Sequence, residues 1–327
     1  MRAVVIGLGS MGKRRIRLIR QFDESIEIIG VDTQPQRRND CTAEYGIKTN
    51  ESIDEAYRVS SPDCAFVCTS PLSHSGIITK CLSLGMHVFT ELNLVSDGYQ
   101  KNIELSKEMG KTLFLSSTFL YREETAQIRR IAEQVGCLLN YVYHIGQYLP
   151  DWHPWESYES FFVNDKRSNG CREIFAIELP WLTGAFGKIT SAQAVKGSIS
   201  TLKIDYPDNY LVIVQHESGH KGMLAVDVVS RKAVRNLEVF GEKLHLQWNG
   251  TPQGLKVYDY DRKAEETIEI YKEGTIDQLE NYSRFIVENG YRNEIECFFN
   301  AVAHKQAPLY TFEEDERILK IIDEIEA

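Results

Sequence analysis

The residues with the clearest chemistry lie near the start of the chain, where Gly7, Gly9 and Gly12 follow a short apolar run in the hexapeptide GLGSMG. The first glycine permits a tight turn, the second lets the backbone approach a pyrophosphate, and the third lets the next helix pack on the strand. Free N–H groups at the amino terminus of that helix would donate to the phosphates. The spacing therefore predicts a dinucleotide site that also includes Ser10 and Met11.

An acidic residue stands where such a site needs one. Asp32 ends the second predicted strand, about 20 residues after Gly12, and can accept hydrogen bonds from the adenine ribose hydroxyls. Its charge would repel a 2′-phosphate, which favours NAD over NADP. Arg37 and Arg38 could reach such a phosphate, so the sequence does not exclude NADP.

The elements that must position these residues alternate short apolar strands with amphipathic helices through the first third of the chain. This order predicts a parallel sheet covered on both faces. The predicted strands are 3–6, 26–32, 64–69, 87–91 and 112–117, and the predicted helices are 11–21, 35–45, 52–59, 73–84, 97–109 and 123–134.

Farther along, the predicted strands become longer and alternate polar with apolar residues, which predicts an antiparallel sheet with one packed face. They are LLNYVYHIGQY at 138–148, LVIVQHE, GMLAVDVVS, VRNLEVFG and LHLQW. Residues 216–222 read as a hairpin turn, and two helices are predicted at 276–303 and 313–326. We predict an α/β fold of two domains. A Rossmann-type dinucleotide-binding domain covers 1–120, and a substrate-binding and oligomerisation domain covers 121–327.

Composition excludes several classes of function. The 327-residue chain is 43% hydrophobic with a formal net charge of −10, whereas nucleic-acid binding needs clustered Lys and Arg. The basic cluster of Lys13, Arg14 and Arg15 with Arg17 and Arg20 is expected to form the solvated face of a helix, with a patch for polyanions as the alternative. Seven irregularly spaced cysteines indicate reduced thiols, and no run approaches the roughly 20 apolar residues of a membrane span. We expect a soluble, cytoplasmic protein that binds neither nucleic acid nor membrane.

Three stretches, in order along the chain, resemble the Gfo/Idh/MocA family, the glucose–fructose oxidoreductase and inositol dehydrogenase group. They are VVIGLGSMGKRRIR, TSPLSHSGIITKCLSLGMHVFTEL and YRNEIECFFNAVAHKQAPLYTFEEDERILKII. The resemblance implies a second domain whose open, mainly antiparallel sheet carries the interface of a homodimer or homotetramer. It also implies a nicotinamide region formed by Thr69, Ser70, Pro71, His74 and Glu91.

The resemblance weakens at the positions that carry the family's chemistry. Where the family has Glu-Lys-Pro, this chain has Glu91-Leu92-Asn93, and Asn93 could bond the nicotinamide amide or a substrate hydroxyl, or cap the loop. Where the family has an Asp and a His four residues apart on a helix, this chain has Ile174 and Glu178. Glu178 could act as a general base if burial raises its pKa, or could pair with an arginine.

An aromatic segment offers a second set of candidates, Asp151, Trp152, His153, Trp155 and Glu156. Aromatic faces stack on sugar rings while carboxylates and imidazole bond the hydroxyls, so a carbohydrate site is one interpretation, with His153 as an alternative acid/base. The other interpretation is a loop held on the sheet by its tryptophans.

The remaining candidates are Tyr121, Arg122 and Arg172, which fall where the family begins its substrate-facing domain or near its second signature. Either arginine could bind a carboxylate or phosphate, or form a salt bridge at a domain interface. His216 and His220 flank a predicted turn but lack an evident third ligand, so no metal site is predicted.

These observations favour an NAD(H)-dependent oxidoreductase that acts on a hydroxyl or keto group of a sugar, nucleotide sugar or sugar acid. Two alternatives stay open. Tightly bound NAD could assist a lyase or epimerase reaction, or the chain could be a non-catalytic NAD-binding regulator, as the missing lysine and histidine suggest.

Overall fold

A computed structural model describes residues 1–153, 156–272, 275–278 and 285–327. The chain divides into two compact units, one formed by Met1–Ser117 with Tyr291–Glu316 and the other by Thr118–Gly290 with Arg317–Ala327. The predicted domain boundary at residue 120 lies close to the end of the first segment. The assignment of 291–316 to the first unit differs from the prediction, which placed all of 121–327 in the second domain.

The first unit contains a six-stranded parallel sheet in the order β3-β2-β1-β4-β5-β6. The strand order reverses between β1 and β4, and ligands of such sheets bind beyond the carboxyl ends of the strands at this reversal. The prediction of a parallel, Rossmann-type sheet is confirmed. The strands are β1 (Arg2–Ile6), β2 (Glu27–Val31), β3 (Lys48–Asn50), β4 (Cys64–Val67), β5 (His87–Thr90) and β6 (Leu113–Leu115). The helices between them are α1 (Ser10–Phe22), α2 (Pro35–Tyr45), α3 (Ile53–Ser60), α4 (His74–Ser83) and α5 (Tyr99–Glu108).

Aromatic packing explains why residues near the end of the chain belong to the first unit. The ring of Phe298 lies edge-on to three phenylalanines of the central strands, with centroid distances of 5.1 Å to Phe66, 5.6 Å to Phe89 and 5.7 Å to Phe114. All four side chains are fully buried, and such aromatic pairs stabilise a core beyond the area they bury. Residues around Phe298 therefore complete this core.

The second unit contains an eight-stranded sheet in the order β14-β13-β12-β11-β7-β10-β9-β8, antiparallel except between β7 and β10. The predicted, mainly antiparallel sheet is thus confirmed, and the predicted hairpin turn joins β9 to β10. The strands are β7 (Leu139–Gly146), β8 (Ile189–Gly197), β9 (Asn209–His216), β10 (Lys221–Asp227), β11 (Val234–Gly241), β12 (Leu244–Trp248), β13 (Leu255–Asp259) and β14 (Ala264–Thr267). Its first two helices are α6 (Glu123–Gln134) and α7 (Gly170–Phe186).

The last two helices are α8 (Glu288–Val302) and α9 (Phe312–Glu326). The predicted start of α8 at residue 276 is wrong, since residues 275–278 are not helical, and residues 279–284 of that prediction lie outside the described residues. Among the described residues, we find no helix with the length and apolar character that crossing a membrane requires.

Candidate functional site

The glycine loop after β1 is held by its own backbone. Gly7 has a φ of +91°, and its N–H donates to the carbonyl oxygen of Val31 at 2.8 Å. A Cβ on Gly7 would lie 2.7 Å from the carbonyl oxygen of Cys68, and one on Gly12 would lie 1.9 Å from the carbonyl oxygen of Gly7. Both glycines are therefore required by the packing of the protein itself.

Gly9 is different, because the atom nearest to a Cβ placed there would be Nη1 of Arg37, at 3.8 Å. The fold leaves space above this residue, at the point where α1 begins. Within the described chain, no side chain caps the amino terminus of α1 and its first turn carries no acidic residue. Its N–H groups can therefore donate to an anion in that space, which fits the pyrophosphate of a dinucleotide.

Asp32, the predicted ribose ligand, is buried beside this loop. One carboxylate oxygen accepts the N–H of Leu8 at 2.8 Å, and the other accepts the N–H of Gln34 at 2.8 Å. Nη1 of Arg37 lies 3.7 Å from the same carboxylate, on a side chain that is 46% exposed, while Arg38 donates to the carbonyl oxygen of Asp32 at 2.7 Å. Asp32 thus holds the glycine loop through the N–H of Leu8. Arg37 lies beside the Asp32 carboxylate, and its side chain is partly exposed.

The segment after β4 carries the next predicted cofactor residues, of which Thr69 and Ser70 are at least partly exposed and Pro71 is buried. His74 begins α4 with its Nε2 2.9 Å from the carbonyl oxygen of Thr69 and its Nδ1 2.6 Å from Oδ1 of Asn93. Burial lowers the pKa of His74, and its hydrogen bonds to Asn93 and Thr69 oppose that shift. Asn93 is itself buried, so in this structure it orients His74.

Glu91, also a predicted cofactor residue, belongs to a buried charged cluster with Arg15 and Glu294. Nε of Arg15 lies 2.5 Å from Oε1 of Glu91, and its Nη2 lies 2.8 Å from Oε2 of Glu294. The other oxygen of Glu294 accepts the hydroxyl of Ser116 at 3.0 Å and the N–H of Ser117 at 2.8 Å. Burial raises the pKa of Glu294.

The expectation of a solvated face is wrong for Arg14 and Arg15, whereas Lys13, Arg17 and Arg20 are partly exposed. Arg15 is fully buried, and Arg14 is buried with its guanidinium 4.5 Å from the centre of the Tyr291 ring. The sequence analysis missed this cluster because the partners of Arg15 lie far along the chain. The one available signal was that Arg15 precedes Leu18 and Ile19 by three and four residues, which places it on the apolar face of α1.

In the second unit, Glu178 is fully buried on α7 and its carboxylate is surrounded by donors. One oxygen accepts the hydroxyl of Tyr143 at 2.8 Å and the indole N–H of Trp181 at 2.6 Å. The other lies 2.6 Å from Nη2 of Arg235 and accepts its Nε–H at 2.8 Å. This arrangement matches the alternative of a carboxylate paired with an arginine, and the role of Glu178 as a base stays a prediction.

The predicted anion-binding arginines are likewise engaged by protein acceptors. Arg122 donates to the carbonyl oxygens of Phe285 at 2.9 Å and Gly250 at 3.2 Å, and pairs with Glu124. Arg172 pairs with acidic residues in the last turns of α9, at 2.7 Å in the case of Asp323. Tyr121 is buried next to Arg122. Their substrate-binding roles stay predictions.

The aromatic segment is partly described, and Trp155 lies outside the described residues. The indole N–H of Trp152 donates to the carbonyl oxygen of Gln147 at 3.1 Å, which anchors the loop. Nδ1 of His153 lies 2.7 Å from Oε1 of Glu156, and its ring packs on that of Phe161 at 4.1 Å. Asp151 is exposed.

The two histidines at the hairpin turn between β9 and β10 bond to their neighbours in the fold. Nε2 of His216 lies 3.0 Å from the hydroxyl of Tyr141, and its Nδ1 lies 2.6 Å from the carbonyl oxygen of Gly187. Nδ1 of His220 accepts the N–H of Leu139 at 2.9 Å. These contacts account for both residues as parts of the turn.

One carboxyl group that the sequence analysis did not single out is Glu173, in the first turn of α7. Its Oε2 is buried and has no hydrogen-bond partner among the described residues. Burial raises the pKa of this carboxyl to about 7. A carboxyl with a raised pKa favours the folded state while it is protonated, and that contribution is lost as the pH rises from the unfolded value through about 7.

We therefore expect Glu173→Gln to be more stable than the unmodified protein at pH 8, by about 1–2 kcal/mol, and little different at pH 4.5. The amide cannot ionise, so the loss of stability between these pH values should shrink. Urea unfolding at both values measures the effect. Glu242→Gln, at an exposed position of the same unit, is the matched control and should change neither value. An equal response in the two variants would contradict the assignment.

The strand order, the glycine loop and the position of Asp32 together define a dinucleotide-binding Rossmann domain. Residues 1–117 match the model of the Gfo/Idh/MocA oxidoreductase family, described as an NAD-binding Rossmann fold. This part of the chain is thus similar to the nucleotide-binding domain of that family, in agreement with the resemblance predicted from the sequence.

Similar proteins agree with this assignment. The chain is 28% identical to myo-inositol 2-dehydrogenase of Thermotoga maritima over 117 residues, 35% of each chain. It is 29% identical to biliverdin reductase A of Mus musculus over 134 residues, 39% of this chain and 43% of that protein. The match thus spans less than half the length of either relative.

A solved structure extends the likeness to both units at the level of the fold. It is that of the WlbA dehydrogenase from Bordetella pertussis in complex with NADH and UDP-GlcNAcA, with a TM-score of 0.75 at 15% identity. The alignment covers 99% of this chain and 95% of that one.

Proposed function

We propose that this protein is an NAD(H)-dependent oxidoreductase that acts on a hydroxyl or keto group of a sugar, nucleotide sugar or sugar acid. The observation that carries the proposal is the space above Gly9, which the fold keeps open beside the uncapped start of α1. The sugar class rests on the names of similar proteins, an inositol dehydrogenase and a dehydrogenase bound to a nucleotide sugar.

Bound NAD would supply the hydride acceptor. The N–H groups at the start of α1 would donate to the pyrophosphate, and Asp32 would accept from the ribose hydroxyls. We propose that Glu91 and His74, with Thr69, Ser70 and Pro71, lie at the nicotinamide end of the cofactor.

For the proton of the substrate hydroxyl we propose two candidate acceptors, Glu178 and His153. To accept the proton, Glu178 would have to give up its ion pair with Arg235. Breaking a buried ion pair costs free energy. His153 is partly exposed, and its imidazole could accept the proton. Asn93 would serve as a hydrogen-bonding group. Glu178→Gln and His153→Gln, compared by kcat at several pH values, separate the candidates.

The first experiment is titration of the protein with NADH, followed by turnover assays with polyols, sugar acids and nucleotide sugars at the absorbance band of the reduced nicotinamide. NADH binding with turnover of one such class supports the proposal. Binding without any turnover would reject it in favour of a non-catalytic NAD-binding regulator. The observation that favours a non-catalytic regulator is that the carboxylate of Glu178 already bonds to Tyr143, Trp181 and Arg235. NAD that stays bound through purification would instead support a lyase or epimerase reaction.

We also propose that NAD is preferred over NADP because of the charge of Asp32. Asp32→Asn keeps an oxygen that can accept a backbone N–H but removes the negative charge, so the Kd for NADP relative to NAD should fall about tenfold, or ~1.4 kcal/mol. Calorimetric titration with both cofactors measures the ratio. Adding Arg37→Ala to this variant should reverse part of the gain, because Arg37 lies beside Asp32. An unchanged ratio in Asp32→Asn would contradict the proposal.

We propose that the protein forms a homodimer or homotetramer, and that the open face of the second unit's sheet is the subunit interface. Leu211 of β9 lies opposite Val195 of β8, and Ile213 of β9 lies opposite Met223 of β10. These four apolar side chains are exposed by 49% or more, which is typical of a surface that another protein covers.

We expect Leu211→Glu combined with Ile213→Glu to yield a monomer by light scattering coupled to gel filtration. Both side chains are exposed, so the double variant should retain its melting temperature as a monomeric domain would. The control is Val59→Glu, at an exposed apolar position of the first unit, which should leave the molar mass unchanged. An unchanged molar mass in the double variant would contradict the proposed interface.

A further inference from the structure

The first unit has a second concave region, at the amino-terminal edge of its sheet. It is a groove of about 540 Å³ between α5, the start of β6 and the turn from α8 to α9. Thr112 and Leu113 line it where β6 begins, whereas the glycine loop follows the carboxyl end of β1. Because all strands of this sheet run in parallel, the groove lies at the edge opposite the dinucleotide site.

The groove has a mixed lining. Its apolar residues are Ile103, Leu113, Ala301, Ala307, Pro308 and Phe312, and its other lining residues are polar or charged. The volume falls within the range of about 300–1,000 Å³ that small-molecule sites occupy. The walls can therefore hold the hydrocarbon body of a small ligand.

The rim of the groove is cationic, in a chain with a net charge of −10. His304 and Lys305 line it, and neither has a carboxylate partner among the described residues. Lys107 also lines it but is paired with Glu313 at 3.2 Å, which is the acidic group on this rim. Burial, followed by the charges of Lys111 and His304, lowers the pKa of His87 near this rim. The rim thus has an excess of positive charge.

The backbone conformation of His304 also supports a site for an anion. This residue lies in the turn just after α8 and has a φ of +57°, a conformation that favours glycine at the ends of helices. The N–H of Lys305 donates to the carbonyl oxygen of Asn300 at 2.8 Å, which closes the helix around it. A histidine here costs backbone free energy, and it supplies the rim with an imidazole that glycine would lack.

We propose that this groove binds a small organic anion, with an apolar body between α5 and Phe312 and a phosphate or carboxylate at His304 and Lys305. A groove with apolar residues and a cationic end favours organic anions over neutral molecules and over free inorganic anions. The site is separate from the dinucleotide site and does not depend on the proposed function.

The test uses 1-naphthyl phosphate as the probe, with 1-naphthol and inorganic phosphate as partial probes, on the full chain by calorimetric titration. We expect the full probe to bind with a Kd of about 0.5 mM and each partial probe to bind at least about tenfold more weakly. The titration is repeated with saturating NAD, and the affinity should not change. Competition by NAD would assign the probe to the dinucleotide site and overturn the proposal, as would equal binding of 1-naphthol.

Two variants locate the site. Lys305→Glu should weaken the probe at least about tenfold, and Ala307→Phe should weaken it similarly by filling the groove. Both residues are exposed, so the variants should keep the melting temperature of the unmodified protein. Lys101→Glu, at an exposed position of α5 outside the groove, is the charge-matched control and should bind normally. Equal loss in Lys101→Glu, or no loss in Lys305→Glu, would overturn the proposal.

Discussion

Replacing Arg15 with methionine is expected to lower the free energy of unfolding by about 3–5 kcal/mol at pH 8. Arg15 is fully buried between the carboxylates of Glu91 and Glu294, and methionine preserves much of its volume without its charge. The substitution leaves two buried carboxylates facing each other without a cation. Such groups lose the solvation of water and gain no compensating attraction.

The pH dependence of this variant gives a second readout. Burial already raises the pKa of Glu294 and Arg15 opposes that rise, so the pKa of Glu294 should rise further in the folded variant. Stability that depends on a raised carboxyl pKa is greatest at low pH and is lost as the pH rises. The deficit of Arg15→Met should therefore be smaller at pH 5 than at pH 8.

The matched control lies two residues away on the same helix. Lys13 pairs with Glu44 at 2.6 Å, but both side chains are substantially exposed, so Lys13→Met should cost less than about 1 kcal/mol. The measurement is urea unfolding followed by far-ultraviolet circular dichroism, since the four tryptophans all lie between residues 152 and 248, outside the first unit. Equal losses in Arg15→Met and Lys13→Met would show that the buried cluster contributes no more than a surface pair.

The second large effect is expected in the glycine loop, where Gly9→Ala should weaken NADH binding at least about tenfold, or ~1.4 kcal/mol, and leave the melting temperature unchanged. The reason is that a Cβ on Gly9 meets no protein atom closer than 3.8 Å and enters the space proposed for the pyrophosphate. Gly12→Ala should instead lower the melting temperature, because its Cβ would lie 1.9 Å from a carbonyl oxygen of the loop.

Calorimetric titration with NADH and thermal unfolding of both variants check this pair of outcomes. Gly76→Ala is the control, since Gly76 lies within α4 and a Cβ there meets nothing within 4 Å. Gly76→Ala should neither weaken NADH binding nor lower the melting temperature. Normal NADH binding by Gly9→Ala would show that the open space at this residue is not the pyrophosphate site.

Much of the fold was predictable because its signals are local. The strand and helix patterns of the first third required only periodicity, glycines and the apolar character of buried strands. β8 was missed because residues 189–197 of this edge strand are mostly exposed and therefore lack a run of apolar residues. The short β3 was missed for a related reason, since none of its three residues is buried.

The candidate site was predictable only where one segment contains all of the chemistry. The glycine loop is such a segment, whereas the partners of Glu178 come from β7, α7 and β11. The spacing of residues along α7 could not reveal that Arg235 forms an ion pair with the carboxylate of Glu178. For the same reason, the burial of Arg15 depended on Glu294, which is far from it in the sequence.

The return of residues 291–316 to the first unit has a consequence for protein synthesis. A ribosome delivers the parallel strands of this unit early, but Phe298 and Glu294 emerge only after the entire second sheet has been made. Until then, the newly made strands expose the faces of Phe66 and Phe114, and Arg15 lacks one of its two carboxylates. Apolar surface that is exposed in this way favours association between partly folded chains. A fragment cut at residue 117, although it contains the whole dinucleotide loop, should aggregate unless residues 291–316 are supplied as a second peptide.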